Sequence, residues 1–260
     1  MAIIEVNNLS KKFRDFTAVS GLSFQVSAGE IVAFLGPNGA GKTTTIKMLT
    51  TVLKPTGGQL SLAGANPVTE KNRARQAFGI VFQDASLDEE LTAYENMLVH
   101  AVLYHLPAKG RKEKIDQLLS FVELADRRRE LVKNFSGGMK RRLEIAKGLL
   151  HHPQILFLDE PTQGLDPQTR HHIWDYIKKL NQTEKMTVFF TTHYIEEADK
   201  MADRVIIVDH GRIIAIGSPA ELKSQAQTDD LEGAFIKLTG SVIREEKADG
   251  LDRMRRRFHH

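Results

Sequence analysis

Gly36-Pro37-Asn38-Gly39-Ala40-Gly41-Lys42-Thr43 follows the apolar run Ile31–Leu35 and leads into Thr44–Val52, whose pattern predicts a helix. A glycine-rich loop between a buried strand and a helix can turn its backbone N–H groups inward on an anion, because no side chain blocks the approach. The helix N-terminus behind it adds a favourable dipole field. Lys42 supplies a cation for the β- and γ-phosphates, and the Thr43 hydroxyl can ligate Mg²⁺. The stretch Gly36 to Thr44 is therefore the candidate site for a nucleoside triphosphate.

Working outward, Ile3–Val6, Leu22–Val26 and Gln59–Leu62 are short strand patterns separated by Gly and Pro turns, and predict a small antiparallel sheet. Ile31–Leu35, Phe78–Gln83, Ile155–Leu158, Val188–Thr191 and Val205–Val208 are further strands, and their continuous apolar runs suit a parallel sheet buried on both faces. Val205–Val208 and Ile213–Ile216 flank Asp209-His210-Gly211 as a hairpin. From Asp84 the texture turns helical. Thr92-Ala93-Tyr94-Glu95 fits a capping box, and Ile115, Leu118, Leu119 and Val122 share one helix face. Asp166 is placed as an N-cap with Pro167 at the first helical position, ahead of Ile173, Trp174, Ile177 and Leu180. The expected fold is α/β: a P-loop NTPase (RecA-like) core with a mostly parallel sheet, an N-terminal antiparallel β subdomain and an α-helical subdomain inserted at about 84–150. That domain is expected to span 1–217, with a C-terminal helical extension and polar tail over 218–260.

The 260 residues are 41% hydrophobic and 27% charged, as for a globular chain with a sizeable core. No stretch approaches the roughly 18 uninterrupted apolar residues of a membrane helix. The opening Met1-Ala2-Ile3-Ile4-Glu5 lacks the pattern of a secretory signal, and there are no cysteines, so an intracellular protein without disulfides is expected. A net charge of +3 comes without interleaved aromatic and basic residues, and no nucleic-acid partner is expected. The basic clusters Arg127–Arg129, Lys140–Arg142 and Arg253 with Arg255–Arg257 are read as solvated faces, with phosphate or anionic-lipid contact as the sharper alternative. The pairs His151-His152, His171-His172 and His259-His260 are read as surface imidazoles, since neighbours on a helix point about 100° apart.

Two further motifs carry chemistry. Ile155-Leu156-Phe157-Leu158-Asp159-Glu160 is a buried strand ending in two carboxylates. Asp159 is assigned to the Mg²⁺ shell and Glu160 to general-base or water-positioning work. Asn134-Phe135-Ser136-Gly137-Gly138-Met139-Lys140 opens another helix and forms a second anion site from free N–H groups, a hydroxyl and a helix dipole. Two phosphate sites in one domain are redundant unless the second serves another molecule's nucleotide.

The order P-loop, Gln83, Ser136-Gly137-Gly138, Asp159-Glu160, Gly164-Leu165-Asp166, His193 resembles the ATP-binding cassette (ABC) ATPase family over roughly 3–220. The resemblance implies ATP hydrolysis with ATP and Mg²⁺, in a head-to-tail dimer of two copies. It implies that Phe13 stacks on adenine and that Gln83 senses Mg²⁺ and a transmembrane partner. Ser136, Gly137, Gly138, Met139 and Asp166 then contact the nucleotide of the second subunit, and His193 touches the γ-phosphate, acting with Glu160 and Lys42 in catalysis. Met139 stands where family members often carry glutamine, and Phe13 where tyrosine is commoner.

The segments Phe16–Val19, Phe135–Leu143, Gly164–Arg170 and Leu231–Gly240 are most similar to the daunorubicin-resistance-type branch. That branch works with ABC-2-type permease subunits, which places such a chain at the cytoplasmic face of the membrane, peripheral through the permease. The alternative is a soluble ABC ATPase of the translation or DNA-repair type. A P-loop kinase or GTPase gives Ser136-Gly137-Gly138 no role.

Overall fold

A computed structural model describes residues 2–84 and 86–240. The basic cluster at 253–257 and His259-His260 lie outside the described residues. Two sheets pack around a shared apolar layer. In the first, β1 (Ala2–Phe13) pairs antiparallel with both β2 (Phe16–Ser27) and β4 (Gly57–Leu62). The first two strands run far beyond Ile3–Val6 and Leu22–Val26. Register shifts between Val6 and Leu9, and again between Leu9 and Lys11, break the period-two pattern that would have revealed their length.

The second sheet has the order β5-β6-β7-β3-β8-β9, formed by β3 (Ile31–Leu35), β5 (Phe78–Val81), β6 (Ile155–Asp159), β7 (Thr187–Thr192), β8 (Arg204–Asp209) and β9 (Arg212–Gly217). All neighbours are parallel except the hairpin of β8 and β9. Its central strands β3, β6, β7 and β8 bury both faces, and alternate residues divide between two cores. Val32, Phe34, Phe157, Phe189 and Ile206 face the antiparallel sheet, where the Phe34 and Phe189 rings stand 5.4 Å apart. Ala33, Leu35, Leu156, Phe190 and Ile207 face the helices.

Helix α1 (Lys42–Leu49) follows the P-loop, starting two residues before the predicted Thr44. Gly41 at φ +98° caps it, a conformation that favours glycine, and a Cβ there would lie 2.6 Å from the Ala18 carbonyl oxygen. The helix ends at Leu49 rather than Val52 because Thr51 turns left-handed, and the Leu53 N–H donates back to the Lys47 carbonyl at 2.8 Å. A short α2 (Lys71–Ala77) has no counterpart among the expected elements, because only Ala74 and Ala77 of its polar sequence are buried.

The inserted helices are α3 (Ala93–Leu103), α4 (Arg111–Phe121) and α5 (Gly137–Gly148). The capping box of α3 is formed reciprocally by Thr92 and Glu95. α6 (Pro167–Glu184) buries Ile173, Trp174, Ile177 and Leu180, as its spacing predicts. α7 (Ile195–Met201), α8 (Pro219–Ala226) and α9 (Leu231–Thr239) are the last helices among the described residues, and Leu222, Leu231 and Ala234 join the core of the parallel sheet. Among the described residues no helix is long and apolar enough to cross a membrane.

Candidate active site

The strand order brings three motifs to one edge. β6, β7 and β3 are consecutive neighbours, with Leu35 opposite Thr192 and Asp159 opposite Thr191. The P-loop, the Asp159-Glu160 pair and His193 therefore leave the carboxyl ends of adjacent parallel strands, where open α/β sheets bind ligands.

Within the loop, the Lys42 ammonium is only 5% exposed and donates to the carbonyls of Gly36 at 2.8 Å and Pro37 at 3.2 Å. Burial pulls its pKa below the usual lysine value, while the Glu160 and Asp159 carboxylates oppose that shift. The loop is braced from behind, where the Gly211 N–H donates to the Ala40 carbonyl at 3.1 Å.

Asp159 is fixed by two hydroxyls that donate to the same oxygen, Oδ1: Thr191 Oγ1 at 2.6 Å and Thr43 Oγ1 at 3.4 Å. Glu160 is buried at 8% exposure and sits left-handed at φ +49°, unusual for a residue with a β-carbon. Its N–H meets both the carbonyl and the Oγ1 of Thr191, at 3.2 and 3.0 Å. Its carboxylate lies between Lys42 Nζ at 3.9 Å and His193 Nδ1 at 3.2 Å. The structure thus gathers Lys42, Thr43, Asp159, Glu160 and His193 into one cluster. Gln83 joins this edge indirectly, its amide donating to Gln163 Oε1 at 2.6 Å.

A second group is assembled elsewhere on the surface. Ser136 caps α5 by accepting the Met139 N–H at 3.2 Å, and Asp166 caps α6 through Thr169. These caps touch each other: a Cβ on Gly138 would lie 2.5 Å from Thr169 Cγ2, and one on Gly137 would lie 3.7 Å from Leu165. Met139 packs against the helical core. Among the described residues no hydrogen bond joins Ser136 or Asp166 directly to the P-loop. Phe13 sits at the tip of the β1–β2 hairpin, 44% exposed and opposite Phe16, with the Lys11 ammonium 5.1 Å from its ring centre.

Two sequence readings are corrected. Lys140-Arg141-Arg142 is no uniform solvated face: Arg141 is buried, Lys140 pairs with Glu89 and Arg142 with Glu123. Arg141 was missed because its neighbours are also basic. The available signal was Glu144 and Lys147 at three-residue steps along a helix otherwise rich in core residues. His151 is not a surface imidazole either. Its ring stacks on Tyr104 at 4.0 Å and Nε2 lies 2.9 Å from the Phe78 carbonyl oxygen.

A family model described as ABC transporter matches residues 19–163, from within β2 to just past the two carboxylates. The chain belongs to the ABC transporter family. This ABC ATPase is similar to a daunorubicin resistance ATP-binding protein of Streptomyces coeruleorubidus, with 42% identity covering 88% of this chain and 72% of that one. It is also 42% identical to a Nod factor export ATP-binding protein of Burkholderia lata, covering 89% of this chain and 76% of the relative. Among solved structures it is similar to an ATP-binding subunit of an ABC transporter, at TM-score 0.82 and 29% identity over 91% of this chain and 99% of that one. A dimeric ATP-binding cassette in a post-hydrolysis state, bound to ADP and Pi, matches at TM-score 0.75 and 27% identity over 83% and 98% of the respective chains. The chain is accordingly an ATP-binding, ATP-hydrolysing member of that family.

Proposed function

We propose that this ABC ATPase drives an exporter, docked on separate ABC-2-type permease subunits at the cytoplasmic face of a membrane. Similarity to export and resistance ATP-binding proteins over most of the chain carries the reading. The permease selects the cargo. Two copies associate head to tail, so that Gly36–Thr44 of one holds the triphosphate while Ser136–Met139 and Asp166 of the other close over it. Phe13 stacks on adenine.

The hydroxyl of Thr43 and the carboxylate of Asp159 are an all-oxygen donor pair that fits a hard divalent cation such as Mg²⁺, with Gln83 assigned as a further oxygen ligand. When bound, that ion neutralises phosphate charge. Lys42 releases the loop carbonyls to hold the β- and γ-phosphates, Glu160 orients and deprotonates the attacking water, and His193 contacts the γ-phosphate while steadying Glu160. ATP favours the closed pair because only that state makes the second set of contacts. Loss of the γ-phosphate removes them and lets the pair open.

The test is co-expression with the membrane subunit. The chain should co-purify with a polytopic membrane protein that stimulates its ATPase. Full activity with no such partner, or stimulation by ribosomes instead, contradicts the transport reading.

A further inference from the structure

One side chain on α5 reaches three backbone carbonyls from two separate strand ends. Arg141 is 7% exposed and lies one turn into the helix that Ser136 caps. Its Nε donates to the Pro161 carbonyl at 2.6 Å, Nη2 to the Glu160 carbonyl at 2.8 Å and Nη1 to the Phe82 carbonyl at 2.5 Å. Glu144 Oε2, 3.4 Å from Nη1, balances its charge. The other oxygen of Glu144 accepts the Ser86 N–H at 2.6 Å, and Lys147 donates to the Ser86 carbonyl at 2.9 Å. One face of α5 therefore grips the chain on both sides of Gln83 as well as the peptide of Glu160.

Glu160 needs such a grip. Its left-handed backbone is disfavoured for a residue with a β-carbon and persists only where the surroundings impose it. Thr191 holds its N–H and Arg141 its carbonyl, so the direction of the carboxylate follows from two clamps. Thr191 belongs to the sheet, whereas Arg141 rides on the helix that begins at Ser136. A rigid planar fork with five donors suits a task of this kind, and a lysine cannot reproduce it.

We propose that Arg141 is a positioning residue that aligns Glu160 and makes that alignment depend on how α5 is seated. Resting on the roles given above to Glu160 and Ser136, this means that docking Ser136–Met139 on a second copy's nucleotide tunes hydrolysis in the same chain's own site. The two ATP sites of a pair are then coupled through one guanidinium on each copy.

The test uses the full chain carrying Arg141→Gln or Arg141→Lys, with Glu160→Gln alongside. Arg141→Gln should lower kcat about 10- to 100-fold, as expected for a misaligned catalytic group, with KM for ATP unchanged within about threefold. Any cooperativity in ATP concentration should be lost with it, and Arg141→Lys should recover part of kcat. Wild-type kcat in Arg141→Gln, beside a dead Glu160→Gln, overturns this inference alone. Full turnover in Glu160→Gln overturns the reading of the site beneath it. Losses of KM, melting temperature and kcat in parallel, or failure of both Arg141 variants to fold, assign Arg141 to structure only and also overturn the proposal.

Discussion

His193 Nδ1 stands 3.2 Å from Oε2 of Glu160, across the ends of two hydrogen-bonded neighbouring strands. Through this contact the residue after β7 steadies the residue after β6, and the Glu160 carboxylate is aimed before any substrate arrives. Replacing Glu160 by glutamine preserves size and removes the proposed general base. Turnover measured by phosphate release should fall about 10²- to 10⁴-fold while ATP affinity changes little. His193→Ala should lower turnover less than Glu160→Gln does, and the reverse order would contradict the assignment.

Lys42→Ala should act on binding. The ammonium already rests on the Gly36 and Pro37 carbonyls, where charge-assisted hydrogen bonds are strong. A titration with a non-hydrolysable ATP analogue should show affinity weakened by at least about tenfold. Equal affinity would remove the loop from the account.

Gly138 is tight against Thr169, whose N–H and hydroxyl both donate to Asp166. Gly138→Ala should displace Thr169 and weaken the cap of α6, costing about 0.5–2 kcal/mol in a denaturant melt. It should also impair ATP-dependent association without changing affinity in the monomer. Adding Thr169→Ser, which removes the crowding Cγ2 but keeps the hydroxyl, should restore part of both. No recovery would mean that the crowding is not the cause.

His100 gives a pH dependence. Burial is the main cause, with the Lys147 and His151 charges adding to it, and together they pull its pKa from 6.5 down to about 4. The Tyr104 ring lies against it at 4.6 Å. The unfolded chain binds this proton more readily than the folded one, so stability rises with pH between about 4 and 6.5 and is lost on acidification through that window. The expected loss is of order 3 kcal/mol across the window. His100→Phe, which keeps a ring beside Tyr104, should flatten the slope of melting temperature against pH there. An unchanged slope would contradict this.

Much of the fold was legible because it is written locally. The glycines of the P-loop, the apolar run of β3, the Thr92 capping box and the Asp166-Pro167 helix start each depend on a few adjacent residues. What escaped depends on distant ones. The sheet places β7 between β6 and β3, and only that order lets Thr191 serve Asp159 and His193 serve Glu160. The long ribbon of β1 and β2 is hidden by its register shifts. Arg141 is hidden by its own chemistry: a charged residue in a basic run reads as exposed until the three carbonyls it satisfies are seen in space.

Mass measurement of the Glu160→Gln chain with and without ATP reaches the central claim most directly. A clamp completed only by two copies predicts a shift from monomer to dimer on adding ATP, reversed when Ser136→Arg is introduced although each copy still binds nucleotide. A chain that stays monomeric with ATP bound, or a dimer indifferent to Ser136→Arg, would contradict it.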